Sequence, residues 1–370
     1  MLRIHILNVG HGDSIVLEYI DETGAKSFAV VDSNCKVGAE PPALGLLKSL
    51  GAQALSFVAI THPHADHYMG MRAILSHFSK RIDSLYTFPI RRDQAFLKLV
   101  IEAYKRYATS TDNKTLQHKL VELAHVLHLA PTAAANWEDP AGTKTILPAR
   151  GFTDVEISTI LPPAHVRGEF FQKIVDGSIE PERENLNDLS MAILIEYADQ
   201  QVILGGDGTY RKWHYQSNRW KSGNIRLSPI AVKLPHHGSK HDCSSTVLDL
   251  LFGNRNSQKP DSVACISANG RSHPAPEVLK ELVARGIKPY CTNLSKRCGS
   301  TRAVEITGNQ TEPVLLRLIA AALFDEDATQ PCQGNIVLEL TPGKALTVRT
   351  EIQNLCPLRG DYAFLSGPLQ

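Results

Sequence analysis

Between Thr61 and Met71 the chain reads THPHADHYMGM, and four side chains able to bind a metal, His62, His64, Asp66 and His67, fall within six residues. Imidazole and carboxylate together suit zinc, manganese or iron, whereas calcium prefers all-oxygen ligands. The cluster follows the apolar run Leu55 to Ile60, so it reads as a loop after a strand and not as a helix face. From such a loop His62 and His64 can serve one ion while Asp66 and His67 turn toward a neighbouring one. A pair of ions needs further ligands, and the chain offers them at two other strand ends. GGDG presents Asp207 after the strand VIL, in the right place for a carboxylate that bridges two ions, and PHHGSKH presents His236 and His237 after IAVKL. Either histidine of that last motif could be the ligand, and both are kept.

The elements that must hold these groups are legible as apolar, β-rich runs. Leu2 to Val9, Ser14 to Tyr19, Phe28 to Val31 and Leu55 to Ile60 read as strands separated by turn signals such as GHGD and DETG. Strands return at Met191 to Tyr197, Gln201 to Leu204, Ile230 to Leu234 and Ser262 to Ser267. Helical spacing predicts helices over Arg72 to Phe78, Asp93 to Tyr107 and Pro276 to Arg285. Thr109 to Glu184 is polar and broken by prolines, with a helix expected around Leu116 to Leu129. Ile336 to Leu340 and Ala345 to Thr350 read as a final hairpin around Thr341-Pro342-Gly343-Lys344.

At 370 residues and 43% hydrophobic content the chain can bury one large core or two ordinary ones. With 39 Lys and Arg against 38 Asp and Glu the net charge is +1, so no bulk field points to nucleic acid or membrane and any basic surface must be local. The opening MLRIHILNVGHGDS has no basic region, apolar stretch or small-residue cleavage site of a signal peptide. The longest apolar runs, such as Leu315 to Phe324, fall short of the roughly 20 residues that span a bilayer. Seven cysteines form no CxxC pair, which suits a reducing compartment, and the expected location is the cytoplasm.

Seven ordered motifs carry a resemblance: LNVGHGDS, VVDSN, THPHADH, NDLSMAILIEY, VILGGD, VKLPHHGS and NGRSHPAPEVL. Together they resemble the metallo-β-lactamase superfamily, most closely the hydrolase domain of the ComEC-type DNA-uptake proteins and related phosphodiesterases. The resemblance spans roughly residues 1 to 300. It implies an α/β (α+β) fold, an αββα sandwich with a helical insertion, and a dinuclear site at one edge. The implied domains are a hydrolase domain over 1–310, with the insertion at about 90–184, and an extension over 311–370. The implied cofactor is two divalent transition-metal ions, Zn or Mn. His62, His64, Asp66, His67 and Asp207 match the family's ligands. Asn187 stands where many members have a further histidine, which thins one ion's ligand set. Asp32 is expected to hold a histidine ring and Asp13 to stabilise a turn beside the metal loop.

The chemistry implied is hydrolysis by a hydroxide bound between two metals, with Asp66 and Asp207 orienting it and His237 or His273 serving the leaving oxygen. Ser239 and Lys240, just after HHG, are placed to contact phosphate. Between Asp207 and HHGS, Arg219 and Lys221 flank Trp220 in a segment of interleaved basic and aromatic residues, the composition that tracks phosphates and stacks bases. The expectation is a phosphodiesterase or nuclease acting on a nucleic acid or nucleotide phosphodiester, with no membrane partner and any protein partner unknown. A hydrolase of another ester, a lactone or thioester, and a non-catalytic scaffold of this fold are the alternatives; fold alone does not choose among them.

Overall fold

The computed structural model describes residues 1–88, 114–176, 178, 185–223, 226–254, 261–269, 272–294 and 332–353. The expected helix over Asp93 to Tyr107 lies outside them, as do Cys298 and Cys356.

The chain opens with β1 (Leu2–Ile6), β2 (Ile15–Ile20), β3 (Lys26–Val31), β4 (Leu55–Ile60), β5 (Ile82–Thr87) and β6 (Ala134–Glu138), which form consecutive neighbours of one sheet. Strands β1 to β3 are antiparallel, whereas β3 to β6 run parallel. The helices between them are α1 (Pro42–Ser49), α2 (Ala65–Tyr68), α3 (Met71–His77) and α4 (Lys114–Ala133). A second sheet follows from β7 (Thr145–Ile146), β8 (Val155–Leu161), β9 (Ala192–Tyr197), β10 (Gln200–Leu204), β11 (Ala231–Lys233), β12 (Val263–Ile266) and β13 (Lys288–Cys291), in that spatial order. Its helices are α5 (Ala164–Val175), α6 (Tyr210–Ser222), α7 (Ser245–Phe252) and α8 (Pro276–Ala284). The hairpin of β14 (Ile336–Leu340) and β15 (Thr347–Thr350) then returns to the first sheet, β14 pairing with β1 in the register Leu2↔Leu340 to Ile6↔Ile336.

Three apolar layers make this a sandwich. Alternation along β1 sends Leu2, Ile4 and Ile6 inward, where they meet Ile193, Ile195, Val202 and Cys265 of the second sheet. On the far side of the first sheet Val16, Val30, Val58 and Leu85 pack under Leu44, Leu47, Ile74, Leu75 and Val126 of α1, α3 and α4. On the far side of the second, Leu194, Ile203, Val232 and Ala264 pack under Trp213, Trp220, Leu248 and Leu279 of α6, α7 and α8. The αββα architecture expected from the resemblance is therefore present. No helix among the described residues is long and apolar enough to cross a membrane.

Within the segment expected as an insertion, β6 extends the first sheet while β7 and β8 join the second. The segment's polar composition hid strands whose one face is exposed, as in β6, or whose apolar run is short. The expected C-terminal hairpin is present, and β14 covers what would otherwise be the open edge of β1.

Parallel β3, β4 and β5 in one sheet and β10, β11, β12 and β13 in the other bring their C-terminal ends to a common edge, the usual place for a site in such sheets. The β1–β2 loop joins them there, with Asp13 N donating to Asp66 O at 3.1 Å. That approach demands Gly12, at φ +109, because a Cβ there would lie 2.2 Å from the carbonyl oxygen of Asp66 and 2.8 Å from its Cβ. Gly12→Ala is expected to push the two loops apart, lowering stability by about 1–3 kcal/mol. Thermal melting reads this, and a wild-type melting temperature would contradict the packing.

Candidate metal centre

Five loops deliver the polar side chains. Asp32 follows β3 and His62, His64, Asp66 and His67 follow β4; Asp207 follows β10, His236 and His237 follow β11, and His11 and Asp13 lie in the β1–β2 loop. Asp207 is buried at their centre, its backbone N–H given to Ser190 Oγ at 2.8 Å. Gly206, at φ +51, leaves room for this turn, since a Cβ would stand 2.3 Å from the carbonyl oxygen of Met191.

The two carboxylate oxygens of Asp207 face different histidines. Oδ1 lies 3.4 Å from His67 Nε2 and 3.6 Å from His237 Nε2. Oδ2 lies 3.7 Å from His62 Nε2 and 3.8 Å from His236 Nε2. Asp66 Oδ2 closes the first of these groups, 3.6 Å from His67 Nε2 and 3.4 Å from His237 Nε2. His64 joins the second, its ligand atom within 4.8 Å of those of His62 and Asp207. Consecutive His236 and His237 reach opposite sides of the carboxylate because both adopt left-handed backbone, at φ 45 and 52. Such backbone is sparsely populated for histidine and marks a place where the fold overrides local preference.

Three of the rings are anchored through Nδ1. His67 Nδ1 donates to Asp32 Oδ2 at 2.7 Å, and His236 Nδ1 to Asp242 Oδ2 at 2.6 Å. Thr61 gives its hydroxyl to Asp32 Oδ2 at 2.7 Å, so its oxygen accepts from His62 Nδ1 at 3.0 Å. In each case Nδ1 is engaged by an oxygen partner and Nε2 is turned toward Asp207. The Nε2 atoms of His62, His67 and His237 and Oδ1 of Asp207 are buried and make no hydrogen bond. Imidazole nitrogens and carboxylate oxygens gathered without hydrogen bonds in a buried site are a costly arrangement for a protein alone, and they form groups that could hold a metal ion.

The groups of the site shift one another strongly. Burial alone would raise the Asp207 carboxyl, but His237, His67 and His62 hold it well below the ordinary carboxylate range. Burial opposes charge on His67 too, yet Asp207, Asp32 and Asp66 keep it well above the usual imidazole value. Burial, then His67, pushes His62 well below that value. Burial and the imidazoles of His237, His236 and His11 bring His273 down to about 4, so it stands neutral at physiological pH.

Other residues expected at the site are placed differently. His273 does approach it, its ring 5.6 Å from that of His236 and 6.3 Å from that of His237. Asn187 is buried in the turn Leu186–Leu189, just before Ser190, and its side-chain oxygen has no hydrogen bond. Ser239 is buried and gives its hydroxyl to Asp242 at 3.3 Å, and Lys240 pairs with Glu277 at 2.8 Å on the surface, so neither is aimed at a substrate phosphate. Trp220 is 2% exposed, packs 6.1 Å from Trp213 and donates to Thr143 O at 2.9 Å; it offers no face to a base. Arg219 and Lys221 do lie on the exposed side of α6.

Sequence reasoning missed His11, Ser190, Asp242 and Lys233. His11 Nε2 lies 3.2 Å from Asp66 Oδ2, with its ring 4.9 Å from that of His237. Its position in GHGD, beside the turn already expected to touch the metal loop, was the available signal. Asp242 had none beyond its nearness to HHGS.

No protein-family model and no curated protein matches the chain. Among solved structures it is similar to a mutant of the CmlA β-hydroxylase, at 12% identity over 79% of this chain and 52% of that one, with a TM-score of 0.41. The chain thus spans about half the length of that protein. It is also similar to Zn²⁺-bound PqqB from Methylobacterium extorquens, at 10% identity over 79% of this chain and 98% of that one, with a TM-score of 0.42. A third is a metal-dependent hydrolase of the β-lactamase superfamily, at 12% identity over 79% and 96%, with a TM-score of 0.41. Likenesses this distant assign no residue a role, and the chemistry rests on the geometry of this chain.

Proposed function

We propose that this protein is a metal-dependent hydrolase of phosphodiesters, nucleotide or nucleic acid, built around two divalent transition-metal ions. The observation that carries the reading is the division of Asp207, whose two oxygens each face a pair of imidazole Nε2 atoms. One ion is assigned His62, His64, His236 and Asp207 Oδ2; the other Asp66, His67, His237 and Asp207 Oδ1. On this assignment both histidines of HHGS are ligands, and His236 makes good the histidine that Asn187 replaces. Zn and Mn both suit a set of imidazoles and carboxylates.

When bound, the ions supply a water of near-neutral pKa as nucleophile and positive charge for the oxygens of the scissile group. The chain does the rest. Asp66 and Asp207 stay ionised because the imidazoles favour their anions, so they act as ligands and orienters and not as proton acceptors. His273, neutral at the mouth, can donate an N–H hydrogen bond to a substrate oxygen without arriving as imidazolium. The mouth itself is bordered by half-buried or exposed His11, Asn34, His64, His236, Asn269 and His273. A polar, imidazole-rich border favours a phosphoryl group over the apolar acyl part of a lactone or thioester.

The deciding assay offers bis-p-nitrophenyl phosphate, a cyclic nucleotide, single-stranded DNA and a lactone with Mn²⁺ or Zn²⁺, and again with EDTA. EDTA-sensitive cleavage of phosphodiesters is expected; turnover of the lactone alone would reassign the substrate, and a protein that takes up no metal would refute the class. In elemental analysis, His236→Ala and His237→Ala should each retain about one ion fewer than wild type. Asp207→Asn should lose both and at least about 10²-fold in rate. If His236→Ala keeps two ions, the division of the two histidines is wrong. Trp220→Ala should act on stability, by about 3–5 kcal/mol, and leave binding of an oligonucleotide to folded protein unchanged. The pair Arg219→Glu and Lys221→Glu tests α6 as a polymer surface: a flattened salt dependence of oligonucleotide binding supports a nuclease. An unchanged slope leaves small phosphodiesters as the substrate.

A further inference from the structure

Under the imidazoles lies a charge that hydrolysis does not itself require. Lys233 ends the buried strand β11, is 0% exposed, and its ammonium meets Asp13 Oδ2 and, at 3.3 Å, the carbonyl oxygen of Gly206. A buried ion pair is weak evidence of a stabilising role, because well-packed apolar residues of similar volume do as well or better. The free oxygen of Asp13 suggests a different use. Asp13 Oδ1 makes no hydrogen bond, neither does His237 Nδ1, and the two atoms lie 3.6 Å apart. Asp32 stands in this relation to His67 at 2.7 Å, and Asp242 to His236 at 2.6 Å. His237 would be the exception among these three rings without Asp13.

We propose that Lys233 and Asp13 are positioning residues for His237: the ammonium holds one carboxylate oxygen so that the other faces Nδ1, which aims Nε2 at Asp66 and Asp207. The inference rests on the two-ion reading above. The backbone of Asp13 is already tied to the metal loop through Asp66 O, so Lys233 need fix only the carboxylate. Burial of the pair beneath the site keeps water from competing for Nδ1.

Fold and positioning come apart in a double variant. Lys233→Met or Asp13→Leu alone leaves one buried charge without its partner, and each should melt below wild type. Combined, the two remove both charges at similar volume, and the melting temperature should recover. Zinc titration then separates the roles: the double variant should keep the ion held by His62 and His64, while its affinity for the second falls about 10–100-fold. Wild-type affinity for both ions in the recovered double variant would overturn the inference and leave the pair purely structural. If wild type binds no zinc, the two-ion reading fails and this inference with it. Should the double variant not fold, Asp13→Asn read by ¹⁵N shifts of the His237 ring carries the test. A shift away from the tautomer protonated at Nδ1 supports the role, and an unchanged spectrum overturns it.

Discussion

Everything at this edge of the molecule follows from one carboxylate shared between two groups of imidazoles. Asp207 is anionic, nearly enclosed, and within 3.4–3.8 Å of four Nε2 atoms. In a medium of low dielectric those distances make strong fields, and the arrangement persists only if each ring is held in place against them. The carboxylates and hydroxyls behind the rings do that fixing. Asp32, Asp242 and Thr61 stand behind His67, His236 and His62 and set the orientation of these three rings.

The scaffold's contribution is to make those tethers rigid. Asp32 sits one residue past β3 and also takes the backbone N–H of Thr61 at 2.7 Å, so it locks the ends of two parallel neighbours together. Thr61 O accepts from Met191 N at 3.1 Å, a bond from one sheet to the other, and His236 N donates to Gly206 O at 2.9 Å. The clustered side chains therefore belong to a single frame of hydrogen bonds, which is how loops can hold a site to fractions of an ångström.

Much of this was legible in the sequence. The strand before THPHADH and the arrival of Asp207 beside the histidines were expected from residue types and spacing, and the tether from Asp32 to a histidine ring from the resemblance, because strand ends, carboxylates and imidazoles have few alternative uses when clustered. Other features were not. That His236 and His237 face opposite ways depends on two left-handed residues, a backbone state that tertiary packing imposes and composition does not announce. The tryptophans misled through chemistry and not through pattern: Trp213 and Trp220 stand seven apart, the spacing of one helical face, and that face is the buried one. Lys233 was hidden by its company in the apolar run IAVKL, where period-two reasoning treats a lone charge as the outward residue of a half-exposed strand.

The pairing of β14 with β1 has a bearing on when the site comes into being. The loop bearing His11 and Asp13 leaves β1 through Asn8, whose backbone N–H goes to Asn335 Oδ1, 327 residues away, at 2.7 Å. Asn8 and Asn293 also exchange amide hydrogen bonds at 3.0 and 2.8 Å. A ribosome delivers those partners after all the clustered histidines and carboxylates. During synthesis the first strand keeps an open edge until β14 arrives, and the histidines after β4 and β11 emerge before the residues that tie down the start of its loop. Assembly of the centre is thus completed only when the far edge of the sheet closes, and a chain truncated before β14 would carry the clustered side chains without the whole frame that aligns them.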